Sequence, residues 1–308
     1  MIIEIPETLY KDKTVHFPEN FKNIYLDYLK IYNVYDLAIK NTEQNVIGGD
    51  SDNEALTHFA LRFQTSGSRN EYFCLDPDGK FQKERNQVLI SLGTGNIGVL
   101  DVACGTGGST LAMLTTLSEL RKNIPFLPLN LNILAIDYSK KALEIYQKVI
   151  SEASNLLLES GIKINIETQI WNATDPSDTT NKMDYFLMNK DKDEYFVMIN
   201  NFSGAINEER KLYSEKEQEL KNRILDSIKS CIIYRISQVK ATLLWIEPSS
   251  NESKRINKFL NLFWDILVNI FPKLQSSNEI GFNFKWFNFI TNKTVERGSI
   301  TLNQFHRD

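Results

Sequence analysis

Residues 99–110 read Val-Leu-Asp-Val-Ala-Cys-Gly-Thr-Gly-Gly-Ser-Thr. Ile97 to Val102 predicts a strand and Ser109 to Leu120 a helix, with a glycine-rich turn between them. Strand, tight turn and helix together present backbone N–H groups and a helix N-terminus to an anionic group. Asp101 stands at the strand's end, just before the turn. A carboxylate there would repel a pyrophosphate and pair with an ammonium, so the pattern points to a ligand carrying carboxylate and amine together, as an amino-acid moiety does. Cys104 lies inside the turn and reads as the small side chain that fits there, not as a nucleophile. A second acid, Asp137, closes the next apolar segment, Asn-Ile-Leu-Ala-Ile-Asp at 132–137, and is followed by Tyr138-Ser139 and a helical run from Lys140. An acid at the end of a second strand can accept hydrogen bonds from a ribose diol, with the Tyr138 ring against an adenine. The same Asp-Tyr-Ser also makes an ordinary helix N-cap.

DVACGTGG resembles the first motif of class I S-adenosylmethionine-dependent methyltransferases, an acid followed by spaced glycines. Asp101, Gly105 and Gly107 match it, and Ala103 stands where the stricter form has its first glycine. Asp137-Tyr138-Ser139 resembles the family's second motif. The resemblance covers roughly residues 90–308 and implies S-adenosyl-L-methionine as cofactor. It places Asp101, Ala103, Gly105, Gly107, Asp137 and Tyr138 against that molecule. After the third strand, Asn172-Ala173-Thr174-Asp175 falls where the family often puts an acid or amide on the adenine, which nominates Asn172 and Ala173; the bare alternative is an Asx turn. After the fourth comes Asn200-Asn201-Phe202-Ser203-Gly204, where the family abuts the transferred methyl group. That nominates Asn200 for the cofactor and Asn201 for the acceptor. Enzymes acting on exocyclic base nitrogens often carry Asn/Asp-Pro-Pro-aromatic here, and this chain lacks both prolines, which argues against a DNA adenine or cytosine N-methylase. Glu247, at the end of a fifth strand, and His58, near Arg62, Arg69 and Tyr72, are further catalytic candidates; His16 and His306 are weaker ones. The competing dinucleotide-binding turn needs G-x-G-x-x-G and meets Thr110 at its third glycine.

The elements that must position these residues follow from periodicity. Residues 163–171, 194–200 and 241–247 read as the third to fifth strands, and 282–290 with 299–305 as a closing antiparallel pair, after a helix over 253–270. The expected fold is α/β, with a doubly wound, mostly parallel seven-stranded sheet, a C-terminal antiparallel hairpin and an N-terminal helical cap. The cap takes residues 1–95 and the cofactor-binding domain 96–308. Within the cap, 21–39 reads as one aromatic-rich helix, 54–64 as a second, 65–69 as a flexible turn and Asp76-Pro77-Asp78-Gly79 as a tight one. Residues 208–240 form a charged helical insertion whose first half is solvated, while Ile224, Ile228, Ile232 and Ile236 make a stripe suited to the sheet.

Composition bounds the rest. Apolar residues make up 42% and charged residues 24% of the 308, those of a soluble globular chain. No apolar run reaches the ~18 residues of a membrane span, and the N-terminus lacks a basic region, so neither membrane insertion nor secretion is expected and a cytoplasmic location is. Cys74, Cys104 and Cys231 form no C-x-x-C pair, so no metal site is expected. A net charge of −4 argues against a large nucleic-acid footprint. A small-molecule acceptor is favoured by that acidity and by aromatics (Tyr25, Tyr28, Tyr32, Tyr35, Tyr72, Phe73) suited to closing over it. RNA or protein acceptors, a protein partner on the 208–240 arm, and a non-catalytic scaffold that keeps the cofactor pocket are the alternatives.

Overall fold

The computed structural model describes residues 4–40, 51–122, 127–188, 191–202, 215–250, 260 and 274–307. Five parallel strands form the body of the sheet; those in its middle are buried on both faces, as strands covered by helices on each side must be, while the edge strand over 162–170 alternates apolar and polar. The five are β3 (Gly95–Val102), β4 (Leu129–Asp137), β5 (Ile162–Ile170), β6 (Glu194–Asn200) and β7 (Ala241–Glu247), all mutually parallel. A hairpin of β8 (Leu274–Asn288) and β9 (Lys293–Arg307) closes the chain, with β9 antiparallel to β7 and inserted between β7 and β8. Two short strands, β1 (Tyr10–Lys11) and β2 (Thr14–Val15), extend the far edge, so the sheet has nine strands in the order β1-β2-β8-β9-β7-β6-β3-β4-β5 where the sequence suggested seven. Residues as short and polar as Tyr-Lys and Thr-Val carry no strand periodicity; β2 is recruited by pairing with Lys285 and Trp286 of β8.

Alternate side chains of each strand feed opposite cores. Ile97 and Val99 join the core under α1 (Glu19–Ile31), α3 (Asp52–Leu75), α5 (Gly108–Arg121) and α6 (Lys140–Glu152). Leu100 and Val102 join the core under α8 (Pro176–Met188) and the 227–236 segment. Shorter helices are α2 (Tyr35–Lys40), α4 (Gln82–Ser91) and α7 (Ser154–Glu159). The first 95 residues contribute Phe21, Tyr25, Phe59, Phe63 and Phe73 to the same core as Val99 and Leu111. Tyr25 stacks on Phe63 at 4.8 Å and Tyr72 on Phe284 at 4.5 Å, so these two rings fill the interior, the core role that the sequence also allowed them.

Three local readings are corrected. The helix expected over 21–39 breaks into α1 and α2, with Asn33 in left-handed backbone between them. The expected turn at 65–69 is helical: α3 runs unbroken from its Ser51–Glu54 capping box to Leu75. Gly67, read as a flexible turn residue, serves close packing instead. A Cβ there would sit 3.0 Å from the Gly108 carbonyl oxygen, and one on Gly108 would sit 2.5 Å from that of Phe63. Backbone meets backbone where α3 crosses α5. Helix α9 (Glu215–Asp226) continues through a π-helical turn, Ser227–Ile233, that buries Ile228, Ile232 and Ile233; Ile236 is buried just beyond. Residues 208–214 and nearly all of the expected 253–270 helix lie outside the described residues. Among the described residues no helix is long and apolar enough to cross a membrane.

Gly108→Ala forces α3 off α5 and should destabilise the fold by about 1–3 kcal/mol, as overpacking does. Urea denaturation measures this, and an unchanged midpoint would show that the crossing tolerates a methyl group.

Candidate active site

All five parallel strands end at one edge, and β3 marks where chain order reverses, with β4 on one side and β6 on the other. Open α/β sheets bind ligands at such a switch point. Between β3 and α5 the backbone turns left-handed at Ala103 (φ 52°), Gly105 (φ 55°) and Gly107 (φ 92°). Ala103 pays steric strain that a glycine would avoid, on the order of 1–2 kcal/mol. Gly107 also lacks room: a Cβ would approach Tyr146 to 3.0 Å.

Asp137 holds this turn. Its Oδ2 accepts from Gly105 N at 2.9 Å and its Oδ1 from Ser139 N at 2.9 Å, while Ser139 caps α6 by accepting from Ala142 N. The N-cap that was the alternative reading of this segment is formed, and Asp137 in addition ties down the glycine turn. Burial raises the Asp137 carboxyl above its ordinary range, partly offset by the backbone N–H groups. Tyr138 and Ile170, at the ends of β4 and β5, are 63% and 54% exposed, two apolar surfaces flanking Asp137.

Asp101 is 1% exposed. Thr110 Oγ1 donates a short hydrogen bond to its Oδ2, and Tyr146 OH donates to the same oxygen at 3.0 Å. Oδ1 has no partner among the described residues. Burial pushes this carboxyl up to about 7, against the two hydroxyl donors, which lower it. Thr110 and Tyr146 were not legible as site residues: Thr110 appeared only as a missing glycine, and Tyr146 was not singled out in the helical run from Lys140. The Cys104 thiol is driven well above its ordinary value by burial and then by Asp137 and Asp101, which disfavours a thiolate.

The other nominated residues divide. Asn172 lies in the Asx turn that was its alternative reading: its Oδ1 accepts from Thr174 N at 3.1 Å and Oγ1 at 2.8 Å. Ala173 packs against the α8-side core. Asn200 is buried and accepts from Asn70 Nδ2 at 3.0 Å. Asn201 takes left-handed backbone (φ 57°) and accepts from Arg69 Nη1 at 2.7 Å. Glu247 is 0% exposed, and its Oε1 accepts from Phe202 N at 2.8 Å and Trp245 Nε1 at 2.6 Å, which braces the loop after β6. His58 does reach the site, since a Cβ on Gly105 would lie 3.9 Å from its Cε1. Burial, then Arg62, lowers His58 to about 4, so its imidazole is neutral near pH 7 and a weak base. Tyr72, grouped with it by sequence, points away and donates to Asp78. His16 stacks on Phe287, and His306 bonds Thr242 at the opposite sheet edge. Among the described residues no group of three His, Cys, Asp or Glu could hold a metal.

No family model and no curated protein sequence matches this chain. Solved structures to which it is similar include a SAM-dependent methyltransferase from Anabaena variabilis, at 12% identity, covering 86% of this chain and 99% of that one, TM-score 0.35. The plantazolicin methyltransferase BpumL in complex with SAH is 12% identical over 94% of this chain and 98% of that one, TM-score 0.34. The glycopeptide N-methyltransferase MtfA complexed with sinefungin is 11% identical over 73% and 85%, TM-score 0.33. Likeness at that level fixes neither a fold nor an activity.

The charges at the turn predict a pH dependence. Asp101 titrates higher folded than unfolded, so the stability it contributes is full below its unfolded value and is lost as pH rises through about 7. Asp137 acts with the same sign. His58, lowered from 6.5 to about 4, acts with the opposite sign but only between those values. The Asp101 loss therefore spans roughly pH 4 to 7, opposed by His58 up to about 6.5, so the net fall in stability of the ligand-free chain should end near pH 7, and Asp101→Asn should remove it in denaturant titrations. An equally steep slope in the variant would remove Asp101 as its source.

Proposed function

We propose that the chain is an S-adenosylmethionine-dependent methyltransferase of the class I type. The observation that carries this reading is the left-handed turn of Ala103, Gly105 and Gly107 at the end of β3, tied through Gly105 N to Asp137 at the end of β4. The residues suit such a cofactor. Asp101 keeps one buried carboxylate oxygen without a partner among the described residues, the kind of orphan that an ammonium, direct or through water, would satisfy. Asp137 retains lone pairs for a ribose diol, and Tyr138 and Ile170 offer apolar faces for a flat heterocycle.

When bound, a sulfonium cofactor supplies its own leaving-group activation, so the protein's task is positioning. Asp101 and Asp137 anchor the two ends of the amino-acid and ribose moieties. Glu247 holds the Phe202 amide just after β6, a bracing role beside the catalytic one its position first suggested. Asn201, turned out of regular strand geometry, is the side chain placed to orient an acceptor. With His58 neutral and weakly basic, the site suits an acceptor that arrives already deprotonated. We favour a small molecule over RNA or protein, on the chain's net charge of −4.

Calorimetry with S-adenosylhomocysteine tests the reading: saturable binding is expected in the wild type. Asp101→Ala should weaken it on the order of tenfold to a hundredfold, the value of a charge-assisted contact. Wild-type affinity should rise between pH 6 and about 7, as Asp101 ionises. Absence of binding at high micromolar concentration would sink the proposal. Binding without turnover in cell extract would leave the chain as a cofactor-binding subunit.

A further inference from the structure

The face that α3 turns toward the site is cationic. His58, Arg62, Thr65 and Arg69 are spaced by four, three and four residues, which aligns them along one side of the helix. The strip starts beside Gly105 and ends at Asn201. At that end the Arg69 guanidinium is fixed by three contacts. Nε donates to the Ser299 carbonyl at 2.9 Å, and Nη1 to the Thr65 carbonyl at 3.0 Å and to Asn201 Oδ1 at 2.7 Å. One side chain thus ties α3, β9 and the residue following β6.

Two features go beyond bracing. All three partners are neutral oxygens, although a half-buried guanidinium ordinarily seeks a carboxylate or phosphate, whose geometry its fork matches. Nη2, with two further N–H groups, makes no hydrogen bond among the described residues. Burial depresses the Arg69 charge to about 10, and Arg62 adds to this. Glu247 opposes it from a distance, with Oε1 already bonded to Phe202 N and Trp245 Nε1. Asp101 and Asp137, at the ends of β3 and β4, make no ion pair with Arg69.

We propose that Arg69 docks an anionic oxygen group, carboxylate or phosphate, of the methyl acceptor, and holds it beside Asn201 at the end of β6. The anion accepts from the two N–H groups of Nη2, and Arg62 reinforces the local positive potential. Asn201, gripped by the same guanidinium, is thereby coupled to the presence of the acceptor. The word acceptor rests on the methyltransferase reading; the anion site itself does not.

The test uses the full chain, with and without saturating S-adenosylhomocysteine, titrated calorimetrically with methylphosphonate, propionate and uncharged propionamide. The wild type should bind one or both anions saturably, on the order of millimolar, and ignore propionamide; the tighter anion names the acceptor's group. Arg69→Gln should weaken the anion roughly tenfold or more, as loss of a charge-assisted fork does. Arg69→Lys should keep much of the affinity and confirms that the fold survives a change at this position, checked by circular dichroism. Affinity for S-adenosylhomocysteine should be the same in all three. Anion binding unchanged in Arg69→Gln, no saturable anion binding at all, or an equal loss of S-adenosylhomocysteine affinity would each overturn the proposal. If S-adenosylhomocysteine fails to bind the wild type, the cofactor reading falls, and the ligand-free titrations still decide the role of Arg69.

Discussion

The close crossing of α3 over α5 is the constraint on which the rest of the site depends. Gly67 and Gly108 have no side chains, and the neighbouring backbones occupy the space that side chains would take. Because the helices touch main chain to main chain, α3 can lie directly on the helix that begins at the glycine turn. Ser109 Oγ, on that first turn, reaches the Ser66 carbonyl at 3.4 Å and lies 3.5 Å from Asn201 Nδ2. The N-terminal segment is thereby brought into the carboxyl edge of the sheet. It supplies His58 at one end of the site and Arg69 with Asn70 at the other. A conventional helix spacing set by large side chains would hold these groups several ångströms away.

Charge is sorted across that edge. Carboxylates close β3 and β4, and guanidinium groups come from α3. Each carboxylate is burdened by burial and lies above its ordinary range, and Arg69 lies below its own. Such mutual discomfort is costly in a chain optimised for stability alone and is a recurrent property of sites that bind charged partners. Water-poor surroundings strengthen any interaction that a ligand makes with these groups.

The fold was legible where local pattern and global role agree. Fully apolar runs such as Phe-Val-Met-Ile at 196–199 announce buried parallel strands, and β6 and β7 fall on the boundaries read from sequence. The glycine turn was legible because left-handed backbone selects a residue type. Gly67 was misread because close packing selects the same type, and sequence does not say which demand applies. Arg69 was named only as a neighbour of His58 and Thr110 only as a missing glycine, because their contacts are with partners 132 and 9 residues away, a distance that no periodicity encodes. Asn172 illustrates the reverse: its local alternative, the Asx turn, is what the chain adopts, because Thr174 offers both an N–H and a hydroxyl within reach.

The two edges of the sheet divide rigidity from strain. At the amino edge, Ser91 and Thr242 donate to Glu194 Oε1 at 2.5 and 3.1 Å, and Thr242 bonds His306 at 2.8 Å, a buried network that ties α4 and β9 to β6 and β7. It leaves few alternatives in strand register, because a one-residue slip would strand several buried polar groups. At the carboxyl edge, two non-glycine residues, Ala103 and Asn201, follow neighbouring strands in left-handed backbone. Strain of that kind persists only where the surroundings over-determine it. Here the overdetermination is visible: Asn201 N donates to the Ile246 carbonyl at 2.9 Å while Arg69 fixes its side chain, and Cys104 N donates to the Ile136 carbonyl at 3.2 Å just past Ala103. A well-anchored amino edge allows the opposite edge to hold its backbone in conformations that suit a ligand better than they suit the chain.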